Sequence, residues 1–229
     1  MHRHERLRSV LYLGTDPTFF LRQGWDFDRF VHYPVIKVVP RPLGEVREAF
    51  MALPTVSHLL FTSKNAVAPF FAHLHALQLS MEGKSLIALG ASTAYHLEKQ
   101  GKKADIIPEE ESQEGLLAHL STLALERAHI FLPRSSLSRP LLTQELSARA
   151  IQMTICDLYD TLPQKLEPVP PLHWFDTIIF TSPSTVEAFL AIFGTLPEGK
   201  RLLAQGRMTR EALEKATAQS VTSCATTHE

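Results

Sequence analysis

Residues 61–74 read FTSKNAVAPFFAHL, and residues 180–193 read FTSPSTVEAFLAIF. Aligned at a constant offset of 119, Phe61, Thr62, Ser63, Val67 and Phe70 fall on Phe180, Thr181, Ser182, Val186 and Phe189. A second pair follows each copy: ALGASTAYHLEK at 88–99 matches AQGRMTREALEK at 204–215, at an offset of 116. Two matches in the same order at nearly one offset mean that the chain carries the same supersecondary unit twice.

Each matched piece reads as a strand that runs into a helix. HLLFT (58–62) and TIIFT (177–181) are short apolar runs, while Val67, Phe70, Phe71 and Leu74 recur at helical spacing. Thr and Ser at the junction are cap residues, and Pro183 suits the first position of a helix, where its missing N–H is not needed. Pro69 fits a helix capped by Ser63 less well, so that helix is expected to begin near Asn65 or to be kinked. In the second pair Gly90 and Gly206 permit tight turns, Thr93 and Thr209 fall in the first helical turn, and Gly101 is a stop signal.

Further apolar runs of strand length continue the pattern: SVLYL (9–13), SLIAL (85–89), ADIIP (104–108), HIFLP (129–133), MTICDLY (153–159), RLLAQ (201–205) and SVTSCA (220–225). Strands alternating with helical stretches predict an α/β fold with parallel sheets covered on both faces. Ligands of such sheets bind beyond the carboxyl ends of the strands, where helix N-termini favour anions.

Composition narrows the partners. The 229 residues are 45% hydrophobic and 21% charged, with 10 Gly and 15 Pro, which excludes disordered, collagenous and coiled-coil classes. Lys plus Arg number 23 against 24 Asp plus Glu, so no global basic field exists for a nucleic acid and an anionic ligand must be met locally. Cys156 and Cys224 stand far apart, which argues against a disulfide framework or a thiolate zinc site and for a reducing, cytoplasmic setting. The start lacks a signal-peptide core, and no apolar stretch approaches a membrane span. His73 and His75 point to different helix faces, and His2, His4 and His228 stand near the chain ends, so no metal set is read. Glycine-rich nucleotide loops and nucleophile elbows are absent.

The order FTSKNAV, ALGASTA with HLEKQG, ESQEGLL, FLPRSSLSRPLLTQEL, LYDT, FTSPSTVEAF and QGRMTREAL resembles the uroporphyrinogen-III synthase family over roughly residues 55–215. The resemblance implies two similar flavodoxin- or Rossmann-like parallel-sheet α/β domains joined by a two-stranded linker. Mapped here, residues 1–36 with 164–229 form one domain and 42–157 the other, with linkers near 37–41 and 158–163 and a mobile angle between the lobes. The family's arginine near the end of the first strand is replaced by Leu13-Gly14-Thr15-Asp16, and a final helix is not expected at SCATTHE.

The implied reaction is closure of linear hydroxymethylbilane with inversion of its last pyrrole ring and loss of water. It implies no cofactor and no metal, a small-molecule substrate, and a transient contact with the enzyme of the preceding step. The substrate carries eight carboxylates, so the binding candidates are hydroxyls and cations at strand ends: Thr62, Ser63, Lys64, Thr93, Arg134, Thr181, Ser182 and Thr209. A plain cap or a solvated surface charge, as for Lys64, Arg134 and Arg207, is the alternative for each. Tyr159 in CDLYDT matches the family's cleft tyrosine and is the candidate donor to the departing hydroxyl, against a half-buried strand aromatic. A non-catalytic, two-lobed binder of small anions is the alternative function, since fold resemblance alone does not fix chemistry.

Overall fold

The computed structural model describes residues 7–225. His2, His4 and His228 lie outside the described residues. The chain divides into two compact units, one ending at Lys37 and resuming at Leu162, the other spanning Val38–Thr161.

The second unit is built on a five-stranded sheet. Its strands are β3 (Ile36–Pro40), β4 (His58–Phe61), β5 (Ser85–Ala88), β6 (His129–Ser135) and β7 (Gln152–Pro163), in the order β3-β7-β6-β4-β5. The last four are mutually parallel. The edge strand β3 runs antiparallel to β7, because Arg41 N–H donates to Leu158 O at 2.9 Å and Gln164 N–H to Val35 O at 2.8 Å, a descending register. The inner strands β4, β5 and β6 are apolar on both faces, as parallel strands buried from both sides must be. Leu59, Phe61, Leu86, Ala88 and Phe131 face a core closed by α2 (Leu43–Met51), α3 (Val67–Ala76) and α4 (Ala91–Lys99). Leu60, Ile87, Ile130 and Leu132 face α5 (Gln113–Leu120) and α6 (Leu141–Ala148).

The first unit holds four parallel strands, β1 (Leu7–Tyr12), β2 (Phe27–His32), β8 (Thr177–Phe180) and β9 (Arg201–Ala204), in the order β2-β1-β8-β9. Leu11, Leu13, Ile178 and Phe180 pack against α7 (Pro183–Phe193) and α8 (Arg207–Ala225). The other face, Leu7, Val10, Tyr12 and Ile179, meets Phe20 of the one-turn α1 (Thr18–Leu21) and the rings of Trp25, Phe27 and Phe30. The two-sheet α/β class read from the repeat is therefore the fold observed.

Local differences have physical causes. Ser63 opens a 3₁₀ turn (Lys64–Ala66), and α3 starts only at Val67, which leaves Pro69 in the first turn, where no intrahelical N–H is required. Gly101, at φ +72°, ends α4 with its N–H on Glu98 O (2.8 Å) while Lys102 N–H reaches Leu97 O (3.0 Å), a paired cap on the orphan carbonyls. Two expected strands fail. ADIIP keeps a single bridge, Ile87 with Ile106, because the Asp105 carboxylate takes the Leu86 N–H (2.7 Å) where a ladder carbonyl would stand. SVTSCA is the end of α8, since no Gly or Pro interrupts residues 207–225, so the described chain does close on a helix. Conversely β2, α1 and α2 were not expected. β2 is an edge strand whose burial does not alternate, which removes the period-two signal.

Candidate functional site

In the second unit the carboxyl ends of β4, β5, β6 and β7 lie side by side. Thr62, Ser63 and Lys64 follow β4 and are half-buried. The Ser63 Oγ accepts the Asn65 N–H at 3.2 Å, so the serine does cap. Tyr159, on β7, is 3% exposed, with its phenol close enough to the Ser63 side chain for that group to act on its ionisation. Burial raises the phenol pKa above its ordinary value, and the Ser63 side chain opposes that rise. The tyrosine is thus a buried core ring whose polar end reaches the β4 turn.

Arg134, at the end of β6, directs its Nε to Asp157 Oδ1 at 2.7 Å. The guanidinium is therefore engaged by an internal carboxylate and is no solvated surface charge. A second pair stands nearby in the same unit. Arg41 meets Asp160 through two N–H···O contacts, Nη2 at 3.1 Å and Nε at 3.3 Å, and Ser136 Oγ donates to the same carboxylate. The Arg41 guanidinium first, and the Ser136 hydroxyl after it, hold the Asp160 carboxyl below the usual carboxylate range. At the start of α4 the Ala91 N–H donates to Glu111 at 2.9 Å. Gly90 makes room for that carboxylate, whose Cδ would lie 2.8 Å from any Cβ at position 90. Thr93 sits in the same first turn, 5% exposed.

The first unit repeats these turns with different bonds. Thr185 Oγ1 accepts the N–H groups of Thr181 (3.1 Å) and Ser182 (3.2 Å) and donates to Ser182 O (2.7 Å). Ser182 Oγ faces Ser184 Oγ at 2.9 Å. Gly14 lies against Thr181, where a Cβ would meet Thr181 Cγ2 at 2.7 Å. Thr209 is 2% exposed and donates its hydroxyl to Gln205 O at 2.9 Å. Asp16, standing in the segment that replaces the family's arginine, accepts the Thr18 N–H at 2.8 Å where α1 begins.

The family model described as Uroporphyrinogen-III synthase HemD matches residues 29–228. The chain belongs to the uroporphyrinogen-III synthase family. Among curated relatives, the uroporphyrinogen-III synthase of Chlorobaculum parvum is 28% identical over 202 residues, covering 81% of this chain and 78% of that protein. The putative uroporphyrinogen-III synthase of Methanothermobacter thermautotrophicus is 28% identical over 169 residues, 70% of this chain and 67% of that one. Crystal structures of uroporphyrinogen-III synthases share the fold. That of a mutant Thermus thermophilus enzyme aligns with a TM-score of 0.61 at 23% identity over 91% of this chain and 89% of its own. That of Helicobacter pylori 26695 gives 0.58 at 19% identity, over 91% and 89%.

Within this member of the uroporphyrinogen-III synthase family, the second unit gathers Thr62, Ser63, Lys64, Thr93, Arg134 and Tyr159 at one sheet edge, and the first unit gathers Thr181, Ser182 and Thr209 at the other. Arg41, Asp157, Asp160, Ser136 and Glu111 were not singled out from the sequence. Arg41 and Asp160 lie 119 residues apart, and only the antiparallel pairing of β3 with β7 brings them together. Among the described residues no group of His, Cys, Asp and Glu could hold a metal ion, and no helix is long and apolar enough to cross a membrane. Cys156 is buried, and burial pushes its thiol up to about 12, so it is a packing residue rather than a nucleophile.

Proposed function

We propose that the protein is a cyclising hydro-lyase that converts hydroxymethylbilane to the inverted macrocycle, uroporphyrinogen III. The observation that carries this reading is the family match over residues 29–228, joined to duplicated strand-to-helix turns at the carboxyl ends of both sheets. In this reaction the terminal hydroxymethyl group loses its hydroxyl, with a proton, as water and leaves a delocalised azafulvene cation. The last pyrrole attacks that cation through its already substituted carbon, forming a C–C bond and a spiro intermediate. Fragmentation and reclosure at the other carbon invert the ring, and loss of a proton restores aromaticity. No electrons are gained or lost. Spontaneous closure uses the free carbon instead, so the main task of the enzyme is to hold the chain in the inverting shape.

In this reading the eight carboxylates are met by hydroxyls at Thr62, Ser63, Thr181 and Ser182, with Lys64 and Arg134 as cations. Thr93 and Thr209 contribute through the helices they start, because their side chains are buried. Tyr159 is the candidate donor. Residues 37–41 and 158–163 are read as linker strands, and the substrate's lability makes a transient contact with the enzyme that supplies it part of the same proposal. The test is an assay with hydroxymethylbilane that separates the two isomers. Faster formation of the inverted isomer supports the reading, and only the spontaneous isomer overturns it in favour of a binding module.

A further inference from the structure

Arg134 stands near the carboxyl end of β6, and Asp157 is its register partner on β7. The guanidinium is held by its Nε alone, which donates to Asp157 Oδ1 at 2.7 Å, and it makes no other hydrogen bond among the described residues. Its two Nη nitrogens are open to solvent, because among the described residues the buried side-chain polar atom without a partner is Gln113 Oε1. A guanidinium offers a carboxylate two forks, Nε with one Nη, or Nη1 with Nη2. In Arg134 the bond to Asp157 engages the first fork and leaves the second outward. Arg139 is the contrast in the same unit: its Nη1 and Nη2 both go to Glu114, at 3.0 and 3.4 Å, so its outer fork is filled. The β4–β6 register, His58 with Ile130 and Leu59 with Phe131, carries Arg134 to the level of Thr62, the first residue after β4.

We propose that Asp157 is a positioning residue for carboxylate binding: through Nε it aims the Nη1–Nη2 fork of Arg134 at a carboxylate of the substrate. The inference rests on the functional reading above and deepens it, because that reading uses Arg134 as a cation and does not say what sets its direction. An arginine that must find its rotamer at the moment of binding gives up conformational freedom then, whereas one already tied by Nε has given it up on folding. The planar fork meets a carboxylate with two parallel bonds, which a point charge such as that of Lys64 does not supply. Asp157 also acts in the opposite sense, since its negative charge repels that of the ligand. Substitution separates the two effects, because an amide at position 157 keeps the acceptor and drops the charge.

The test compares wild type, Asp157→Asn, Asp157→Ala, Arg134→Ala, Arg134→Ala/Asp157→Asn and Arg134→Ala/Asp157→Ala. Each is measured by steady-state kinetics with hydroxymethylbilane and by fluorescence titration with uroporphyrin, a stable octacarboxylate that is not turned over. Arg134→Ala is expected to weaken uroporphyrin binding about 10-fold or more, the size of a hydrogen bond between charged groups. Asp157→Asn and Asp157→Ala remove the same charge, and only the amide still accepts from Nε. Asp157→Ala should therefore bind uroporphyrin about 3- to 10-fold more weakly than Asp157→Asn, with KM raised in step and kcat within about 3-fold. In the Arg134→Ala background the two should bind alike, because a residue that acts through another has nothing to lose once that partner is gone.

Equal affinity in Asp157→Asn and Asp157→Ala overturns the proposal, whatever the melting points do, because Asp157 then acts through its charge or as a plain ion pair. A difference that persists without Arg134 overturns it as well, as does an Arg134→Ala protein that binds like wild type or a wild-type protein that does not bind uroporphyrin. Should Asp157→Ala fail to fold, Asp157→Leu, which fills the space without an acceptor, takes its place in the same comparison. The titration involves no turnover, so failure here and failure of the isomer assay are separate outcomes.

Discussion

The two copies of the FTS turn begin with the same three residues and solve the same problem differently. At the start of a helix, N–H groups lack partners and must be capped. In the first unit Thr185, fully buried, supplies one hydroxyl that takes the N–H groups of both Thr181 and Ser182. Pro183 then lets α7 begin at once. In the second unit the corresponding residue is Ala66, so Ser63 caps Asn65 by itself and the chain makes a 3₁₀ turn before α3. One residue, three positions after the serine, thus decides whether a third hydroxyl takes the N–H groups at the start of the turn. Sequence identity at a junction does not imply identical chemistry there.

The largest effect that can probe this comparison lies in the matched core rings. Phe70 and Phe189 occupy the same place in the repeat and are both fully buried. Truncation of either to Ala should cost about 3–5 kcal/mol by loss of burial and opening of a cavity. Phe70→Ala should lie at the upper end, because its ring is surrounded by Phe50, Phe61, Phe71 and Phe131, whereas Phe189 meets Phe180 and Phe193. Chemical denaturation of the two variants measures the order. The reverse order would show that the two cores are not equivalent in packing.

Thr185→Ala removes the cap that the first unit has and the second lacks. A loss of about 1–2 kcal/mol is expected, together with weaker protection of the Thr181 and Ser182 amides in hydrogen exchange. Full protection after the substitution would mean that another group satisfies those donors. Thr209→Val keeps the shape and deletes a hydroxyl already bonded to Gln205 O, so a loss of about 0.5–1.5 kcal/mol in stability is expected with uroporphyrin affinity unchanged. A drop in affinity with an unchanged melting point would place that hydroxyl on the ligand instead.

The smallest effect concerns Asp160. Its carboxyl pKa is lowered in the folded protein by Arg41 and then by Ser136. A depressed folded value means that the contribution to stability is present above the unfolded value of about 3.9 and is lost as pH falls through the folded value. The melting-point difference between wild type and Asp160→Asn should therefore be small at neutral pH and vanish on acidification below about pH 4. A difference that widens on acidification would contradict the assignment.

The fold was legible because the repeat states it twice. Apolar runs such as HLLFT and TIIFT are short, end on cap residues and lead into helical spacing, so each level of the pattern agrees with the next. ADIIP misled because a side-chain carboxylate, that of Asp105, can occupy a ladder position without any sign in the hydrophobic pattern. SVTSCA misled because β-branched residues at the end of a long helix read like a strand when no breaker marks the boundary. At the candidate site the capping role of Ser63 could be read from its position. The approach of Tyr159 to that serine could not, because it depends on β7 lying within reach of the β4 turn, a matter of topology. The pairs Arg134–Asp157 and Arg41–Asp160 were hidden for the same reason.

The antiparallel register of β3 and β7 sets Val38 directly opposite Thr161, and these residues are also the first and last of the second unit. Chain entry and exit are therefore neighbours across one strand spacing of about 5 Å. A folding unit whose two ends meet at one register pair is, topologically, a long hairpin loop with a core of its own. Its attachment is a single antiparallel ribbon, and its removal would leave Lys37 facing Leu162 at a distance that a two-residue turn can close.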